Sequence, residues 1–206
     1  VASKALSLRQ IANSLPKPYR FRPAGDLATE VEWAKNRRLT PDTYRGGLGG
    51  HEPPIPDDLM ARVFREYERR KAASGLIDFE DLLEQAVRLY EEDEWALAAL
   101  RERYRAFTVD EYQDVNLLQQ SLLELWVGER DDFCAVGDDY QSIYGFTGAS
   151  PEWLLGLARR LANAERGRVL AVALDASSSP AIKELGARGA DVVFAVDDSR
   201  TGCYAA

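Results

Sequence analysis

A chain of 206 residues, 46% hydrophobic and 29% charged, has enough apolar material for one large or two small globular domains. No apolar run approaches a membrane span and no basic-then-apolar leader opens the sequence, so a cytoplasmic protein with no membrane partner is expected. The net charge of −8 argues against a generic nucleic-acid coat; two cysteines (Cys134, Cys203) and a single histidine, His51, exclude a disulfide scaffold, a zinc site and a histidine-based triad.

In chain order, residues 1–14 show weak helical periodicity through Leu6, Leu8 and Ile11. Tyr19-Arg20-Phe21-Arg22 alternates and predicts a short strand. Asp26 is the expected N-cap of a helix passing Val31, Trp33 and Ala34 and ending at Arg38. Thr40-Pro41-Asp42 opens a helical turn, with proline at a tolerated first position. Residues 46–56, with four glycines and three prolines, read as loop. Asp57 or Asp58 then caps a helix through Leu59, Val63, Phe64 and Tyr67, whose polar residues Arg65, Glu68, Arg69, Arg70 and Lys71 are expected on a solvated face. Asp78 caps the next helix, over 79–90, with acids in the first turn where the helix dipole favours them. A further helix over 94–104 leads into the first strand. Charge is uneven: residues 1–50 carry nine Lys/Arg against four Asp/Glu, and residues 51–100 carry six against thirteen. The basic quarter is where phosphate-backbone contacts would fall, although a solvated charged face accounts for the numbers equally well.

The stretch from Ala106 to Ala149 organises the rest. Phe107-Thr108-Val109 and Phe133-Cys134-Ala135-Val136 are short apolar runs that stop at polar turns, the pattern of buried strands in an α/β sheet. Cys134, inside the second run, is expected in the core. Leu117 to Val127 is a crossover helix, giving a strand–helix–strand unit whose ligand edge lies at the carboxyl ends of the strands. Asp110, Glu111, Gln113 and Asp114 follow the first strand; Asp138, Asp139 and Gln141 follow the second. An acid at a strand end suits Mg²⁺, which prefers hard oxygen ligands. A neighbouring carboxylate can orient or deprotonate a water, and a glutamine can sense a terminal phosphate without adding charge. Turn-forming acids that merely end strands and cap helices are the alternative for Asp110-Glu111 taken alone.

The string Val109-Asp110-Glu111-Tyr112-Gln113-Asp114, followed by Val136-Gly137-Asp138-Asp139-Tyr140-Gln141-Ser142-Ile143-Tyr144-Gly145-Phe146, resembles motifs II and III of the UvrD/Rep/PcrA-like superfamily 1 DNA helicases. The resemblance implies a partial RecA-like P-loop NTPase motor domain, an α/β fold, with a mainly helical inserted subdomain. It implies ATP and Mg²⁺ as cofactors of the complete enzyme. Asp110 would bind the metal, Glu111 would activate water, Gln141 would contact the γ-phosphate region, and Gln113 and Asp114 would stand beside them in the nucleotide site. Tyr144 and Phe146 fall where the family stacks rings on single-stranded DNA bases; a hydrophobic anchor under the loop is the alternative. Trp33-Ala34-Lys35-Asn36-Arg37 resembles a stretch of the family's accessory subdomain 1B, which touches duplex DNA, making Lys35, Arg37 and Arg38 candidate contacts. Asp78-Phe79-Glu80-Asp81-Leu82-Leu83 resembles the DFxDLL motif at the return to the core.

Beyond Ala149, Ser150-Pro151-Glu152 begins a helix to about Ala164. Strands at 169–174 and 191–196 flank a helix over 179–188. This tail is read either as a diverged sequel to the helicase pattern, with Ser177 where an arginine is expected, or as similar to the second βαβ repeat of NmrA-like NAD(P)-binding proteins, without a GxGxxG. No lysine is followed by Ser or Thr, so the phosphate-cradling GxxxxGK[ST] does not occur, and Thr147 stands where many relatives carry an arginine. The expected organisation is a 1B-like accessory subdomain (1–75), the second half of a 1A-like motor domain (76–165) and a divergent βαβ tail (166–206). The expected function is part of an ATP-dependent 3′–5′ helicase acting on single-stranded and duplex DNA in repair or replication. Alone it would not be an active motor, and the missing remainder of the helicase is a possible partner. A truncated, non-catalytic DNA- or protein-binding module is the competing reading, and a redox protein based on the tail a third.

Overall fold

The computed structural model describes residues 4–130, 133–138, 141–154 and 156, and the backbone of 170–173 and 191–194. Six helices precede or separate the first two strands: α1 Lys4–Ala12, α2 Ala24–Asn36, α3 Asp57–Ala73, α4 Phe79–Glu92, α5 Glu94–Arg103 and α6 Leu117–Val127. The strands are β1 Phe107–Val109 and β2 Phe133–Ala135, with β3 Leu170–Ala173 and β4 Asp191–Phe194 in the tail. The α/β expectation holds, with helix far outweighing strand.

Local chemistry sets the helix starts. Asp78 accepts the Asp81 N–H at 2.9 Å while Asp81 accepts the Asp78 N–H at 3.0 Å, a reciprocal box that satisfies two amide donors at the start of α4. Asn116 and Gln119 form the same box on α6, at 2.9 and 3.1 Å. Asp93 accepts the Trp95 and Ala96 N–H groups ahead of α5. Two expected caps are displaced. α2 starts at Ala24 behind Pro23, and α3 at Asp57 behind Pro56, so Asp26, Asp57 and Asp58 lie in first turns rather than at caps. The dipole favours acids throughout the first turn, so an aspartate marks a helix start without marking the cap.

The alternating segment at Tyr19 is not a strand. Tyr19–Phe21 is a 3-10 turn, closed by Phe21 N–H to Pro18 O at 3.1 Å and Arg22 N–H to Tyr19 O at 3.0 Å. Prolines flank it on both sides and no described strand lies beside it, so the alternation has no ladder to join.

α1, α2 and α3 share the main core, centred on Leu8, Leu27, Val31, Met60, Phe64 and Tyr67, all buried. Each such side chain contributes about 1.5–3 kcal/mol by leaving water. A smaller cluster joins Val87 of α4 to Leu118 and Leu122 of α6, with Tyr90 and Trp126 at its edge.

β1 and β2 pair in parallel with Phe107 opposite Phe133, Thr108 opposite Cys134 and Val109 opposite Ala135. The ladder continues through Val136 N–H to Val109 O at 2.8 Å and Tyr112 N–H to Val136 O at 2.9 Å. α6 covers one face, its Trp126 stacking on Phe107 at 6.0 Å. Thr108 and Cys134 point the other way and are exposed, which corrects the expected burial of Cys134. An apolar run identifies a strand, but burial also needs a layer over each face, and the described residues supply one. In the tail, β3 and β4 are parallel, with Leu170 opposite Asp191. The helix expected between them, and most of the one expected after Pro151, fall outside the described residues.

Candidate functional site at the strand ends

The two polar clusters meet at one edge because β1 and β2 run in parallel. Asp110 leaves β1, and its Oδ1 accepts the Glu111 N–H at 2.9 Å. Glu111 has φ 53° and ψ 40°, a left-handed conformation that costs a non-glycine residue about 1–2 kcal/mol. The bend aims Asp110 and Glu111 outward and turns the next residues in, so that Tyr112 and Gln113 are buried. Gln113 is 1% exposed and joins the two clusters. Its Nε2 donates to Glu111 Oε2 at 2.6 Å, and its Oε1 accepts the Asp138 N–H at 2.9 Å. Gly137 makes the contact possible: a Cβ there would stand 2.5 Å from Gln113 Oε1 and 3.1 Å from the Gln113 and Tyr112 nitrogens. Beneath, the Tyr112 hydroxyl donates to Gln120 Oε1 at 2.7 Å, and Gln120 donates on to Glu124 at 2.7 Å.

Asp110, Glu111 and Asp114 line one cleft of about 430 Å³, walled by Val109, Leu122 and Trp126. Asp114 Oδ1 is buried there without a hydrogen-bond partner, as is Trp126 Nε1. A buried carboxylate oxygen left bare is costly unless a donor or cation reaches it. This donor set of hard oxygens suits Mg²⁺ held partly through water. Gln141 is exposed and donates to Asp138 Oδ2 at 2.7 Å.

The loop after Gln141 carries two exposed rings, Tyr144 at 48% and Phe146 at 60%, with centroids 6.1 Å apart. They do not anchor the loop from beneath. Backbone bonds from Thr147, Gly148 and Ala149 back to Tyr144 and Gly145 close it into a compact turn.

The three basic candidates part company. Arg37 is exposed, its guanidinium 5.1 Å from the Trp33 ring centroid. Arg38, with φ 56°, reaches Glu84 at 3.1 Å and Glu91 at 3.3 Å. Lys35 is turned away from solvent: its ammonium lies 2.6 Å from Asp78, 2.5 Å from Asp81 and 3.3 Å from Glu68. Lys71, expected on a solvated face, reaches the same three acids at 3.1, 2.6 and 2.8 Å. The reason was legible. Lys71 follows Tyr67 by four residues and Phe64 by seven, which places all three on the buried stripe of α3. Burial alone would raise the Asp78 carboxyl, but the Lys35 ammonium above all, with the Asp81 N–H and Lys71, holds it well below the usual range. Burial raises Glu80, and its bond to Lys4 at 2.7 Å only partly offsets this. Glu68, Asp78 and Asp81 are close enough to share a metal ion, but two lysine ammoniums already pair with all three.

The fold joins a parallel strand pair and its crossover helix to a mainly helical remainder, with both acidic clusters at one strand edge. Residues 4–162 match the model of the UvrD/REP helicase N-terminal domain, and the chain belongs to that family. It is 42% identical over 168 residues to ATP-dependent DNA helicase UvrD2 of Mycobacterium tuberculosis, a match covering 79% of this chain and 24% of the relative. It is 34% identical over 133 residues to ATP-dependent DNA helicase Rep of Escherichia coli (65% and 19% covered) and 29% identical over 147 residues to ATP-dependent DNA helicase PcrA of Bacillus subtilis (71% and 19%). The chain thus spans about a quarter or less of the length of these curated relatives. Its architecture is a partial α/β helicase motor domain with helical insertions. Among the described residues no helix is long and apolar enough to cross a membrane.

Sequence reasoning missed three contributors. Gly137 stood within the string that carries the resemblance, but its close approach to Gln113 was not assigned. Asn36, whose Nδ2 donates to Thr147 O at 2.7 Å, and the Tyr112–Gln120 pair were assigned no role, because these contacts depend on segments brought together in space.

Proposed function

We propose that this chain is the part of an ATP-dependent 3′–5′ DNA helicase that carries the catalytic acids and part of the DNA path, in a protein of DNA repair or replication in the cytoplasm. Residues 1–75 would form the accessory subdomain, 76–165 the second half of the first motor domain, and 166–206 a divergent tail. The observation that carries this reading is the Gln113 side chain, which binds Glu111 with one end and the Asp138 backbone with the other, so that both acidic clusters form one edge.

In this reading Asp110, with Asp114 in the same cleft, would hold Mg²⁺, and the ion when bound would supply positive charge against the phosphates of ATP. Glu111 would accept a proton from the water that attacks the terminal phosphorus as the bond to the bridging oxygen breaks and ADP leaves, with Gln141 at the γ-phosphate. Gln113 orients Glu111, since its amide is the hydrogen-bond partner of that carboxylate. Tyr144 and Phe146 stack on single-stranded bases, and Arg37 meets phosphate beside them. No GxxxxGK[ST] lies within the chain, so the phosphates would be cradled by another segment and the chain alone would not turn over ATP.

The test is steady-state ATP hydrolysis with and without single-stranded DNA, beside a Glu111→Gln control. No turnover above the control is expected from the chain alone. Turnover should appear when a polypeptide bearing the phosphate loop is added, and vanish again in Glu111→Gln. DNA-stimulated turnover by the chain alone would overturn the dependence on that loop. A second reading, a non-catalytic DNA- or protein-binding module, draws on the exposed Tyr144–Phe146 pair. It predicts oligonucleotide binding that weakens with salt and with Tyr144→Ala; no binding at low salt would remove DNA from both readings.

A further inference from the structure

The aromatic loop is gripped from two sides. On one, Ala149 pairs with Asn116 in an isolated antiparallel bridge, and Ser150 N–H donates to Val115 O at 3.2 Å, which fixes the loop to the connection between β1 and α6. On the other it lies against the last turn of α2. Gly148 has φ 92°, and a Cβ there would stand 3.3 Å from Trp33 O, 3.4 Å from Asn36 Cβ and 3.6 Å from Arg37 Cγ. The backbone therefore sits nearly flush on the helix, at a position suited to glycine on both conformational and steric grounds. Across that contact Asn36 Nδ2 donates to Thr147 O at 2.7 Å, bridging 111 residues of sequence. Asn36 is 6% exposed, so little water competes for the bond.

An asparagine at the last position of a helix commonly turns its side chain to solvent or to a neighbouring backbone group. Here the amide leaves its own helix for the carbonyl one residue past Phe146. The two rings are exposed, so where they stand follows the backbone that carries them. That backbone is held at Ala149 and Ser150 by the β1–α6 connection, and at Thr147 and Gly148 by Asn36 and the flush contact with α2.

We infer that Asn36 is a positioning residue: it ties the loop of residues 144–149 to the end of α2 and so sets the direction in which Tyr144 and Phe146 face. The inference deepens the DNA-binding part of the proposed function, and rests on that reading only for what the rings contact. α2 and the strand-end loop then move as one body, and a ligand that shifts the rings must also load α2.

The test is hydrogen exchange by mass spectrometry on the chain and on Asn36→Ala, together with anisotropy of a labelled oligothymidine at low salt. Loss of the bond should speed exchange in a peptide covering 143–150 by about tenfold while α3 and α4 keep their protection, since local opening is governed by local contacts. Oligonucleotide affinity should fall several-fold with it. A general loss of stability would instead speed exchange in α3 as well. If Asn36→Ala does not fold, Gly148→Ala presses the loop off α2 from the loop side and should give the same local signature. Faster local exchange with unchanged DNA affinity upholds the positioning role and overturns the DNA reading of the rings. Unchanged exchange in the loop, or weaker DNA binding without it, overturns the inference.

Discussion

Replacing Lys35 by methionine separates two roles for a residue that its sequence context assigned to DNA. The stem keeps its length and apolar contacts, and only the ammonium is lost. In the wild type two ammoniums, Lys35 and Lys71, face three carboxylates, Glu68, Asp78 and Asp81, each acid reaching both lysines. The variant leaves one ammonium against three carboxylates in a site where Asp78 is 3% exposed. Removing one partner of a buried ion pair costs about 3–5 kcal/mol, because the remaining charge is left uncompensated. With a urea slope near 2 kcal/mol per M, the unfolding midpoint should fall by about 2 M, and the melting temperature by roughly 10 °C. The assay is urea unfolding followed by far-ultraviolet circular dichroism, beside oligonucleotide binding as a function of salt. A phosphate contact would behave in the opposite way: stability nearly unchanged, affinity reduced, and the salt slope smaller by about one. That second pattern would refute the structural role of Lys35.

Acid titration should show the same cluster. The Asp78 carboxyl is held below its unfolded value of about 3.9, so its contribution is fully present above about pH 4 and is lost as pH falls through the folded value. Melting temperature measured against pH should drop on acidification below about pH 4, and Asp78→Asn should flatten that limb. Glu80, raised by burial, works in the opposite sense and favours the fold when protonated. Gly137→Ala would force Gln113 away from the Asp138 N–H, so exchange of the Asp138 amide should accelerate and the melting temperature should fall. Asn116→Ala removes the N-terminal box of α6 and should cost about 1 kcal/mol in chemical unfolding. Cys134, exposed on the face of the sheet that no described helix covers, should be modified by a thiol reagent under native conditions, as read by peptide mass spectrometry; a protected Cys134 would mean that a layer covers that face.

Much of this protein was determined by local sequence. Asp78 with Asp81 specified the start of α4, and the apolar runs ending at Asp110 and Asp138 gave the strand–helix–strand unit and its polar edge, because caps and short buried strands are encoded within a few residues. Asp110 and Glu111 could be placed on that edge from the run they follow, and the resemblance singled out Tyr144 and Phe146 after the second run. Tertiary structure decided what those residues touch. Tyr19–Phe21 curls into a turn because alternation needs a partner strand, and Cys134 is exposed because burial needs a covering layer. Lys35 and Lys71 are internal because acids from α3 and from the start of α4 converge on them, so a basic residue that reads as a phosphate contact in one dimension becomes half of an ion-pair network in three. Gln113, Gly137 and Asn36 gain their roles only when segments distant in sequence meet. A hydrogen bond between residues 36 and 147 depends on the relative placement of a helix and a loop, which no local propensity reports.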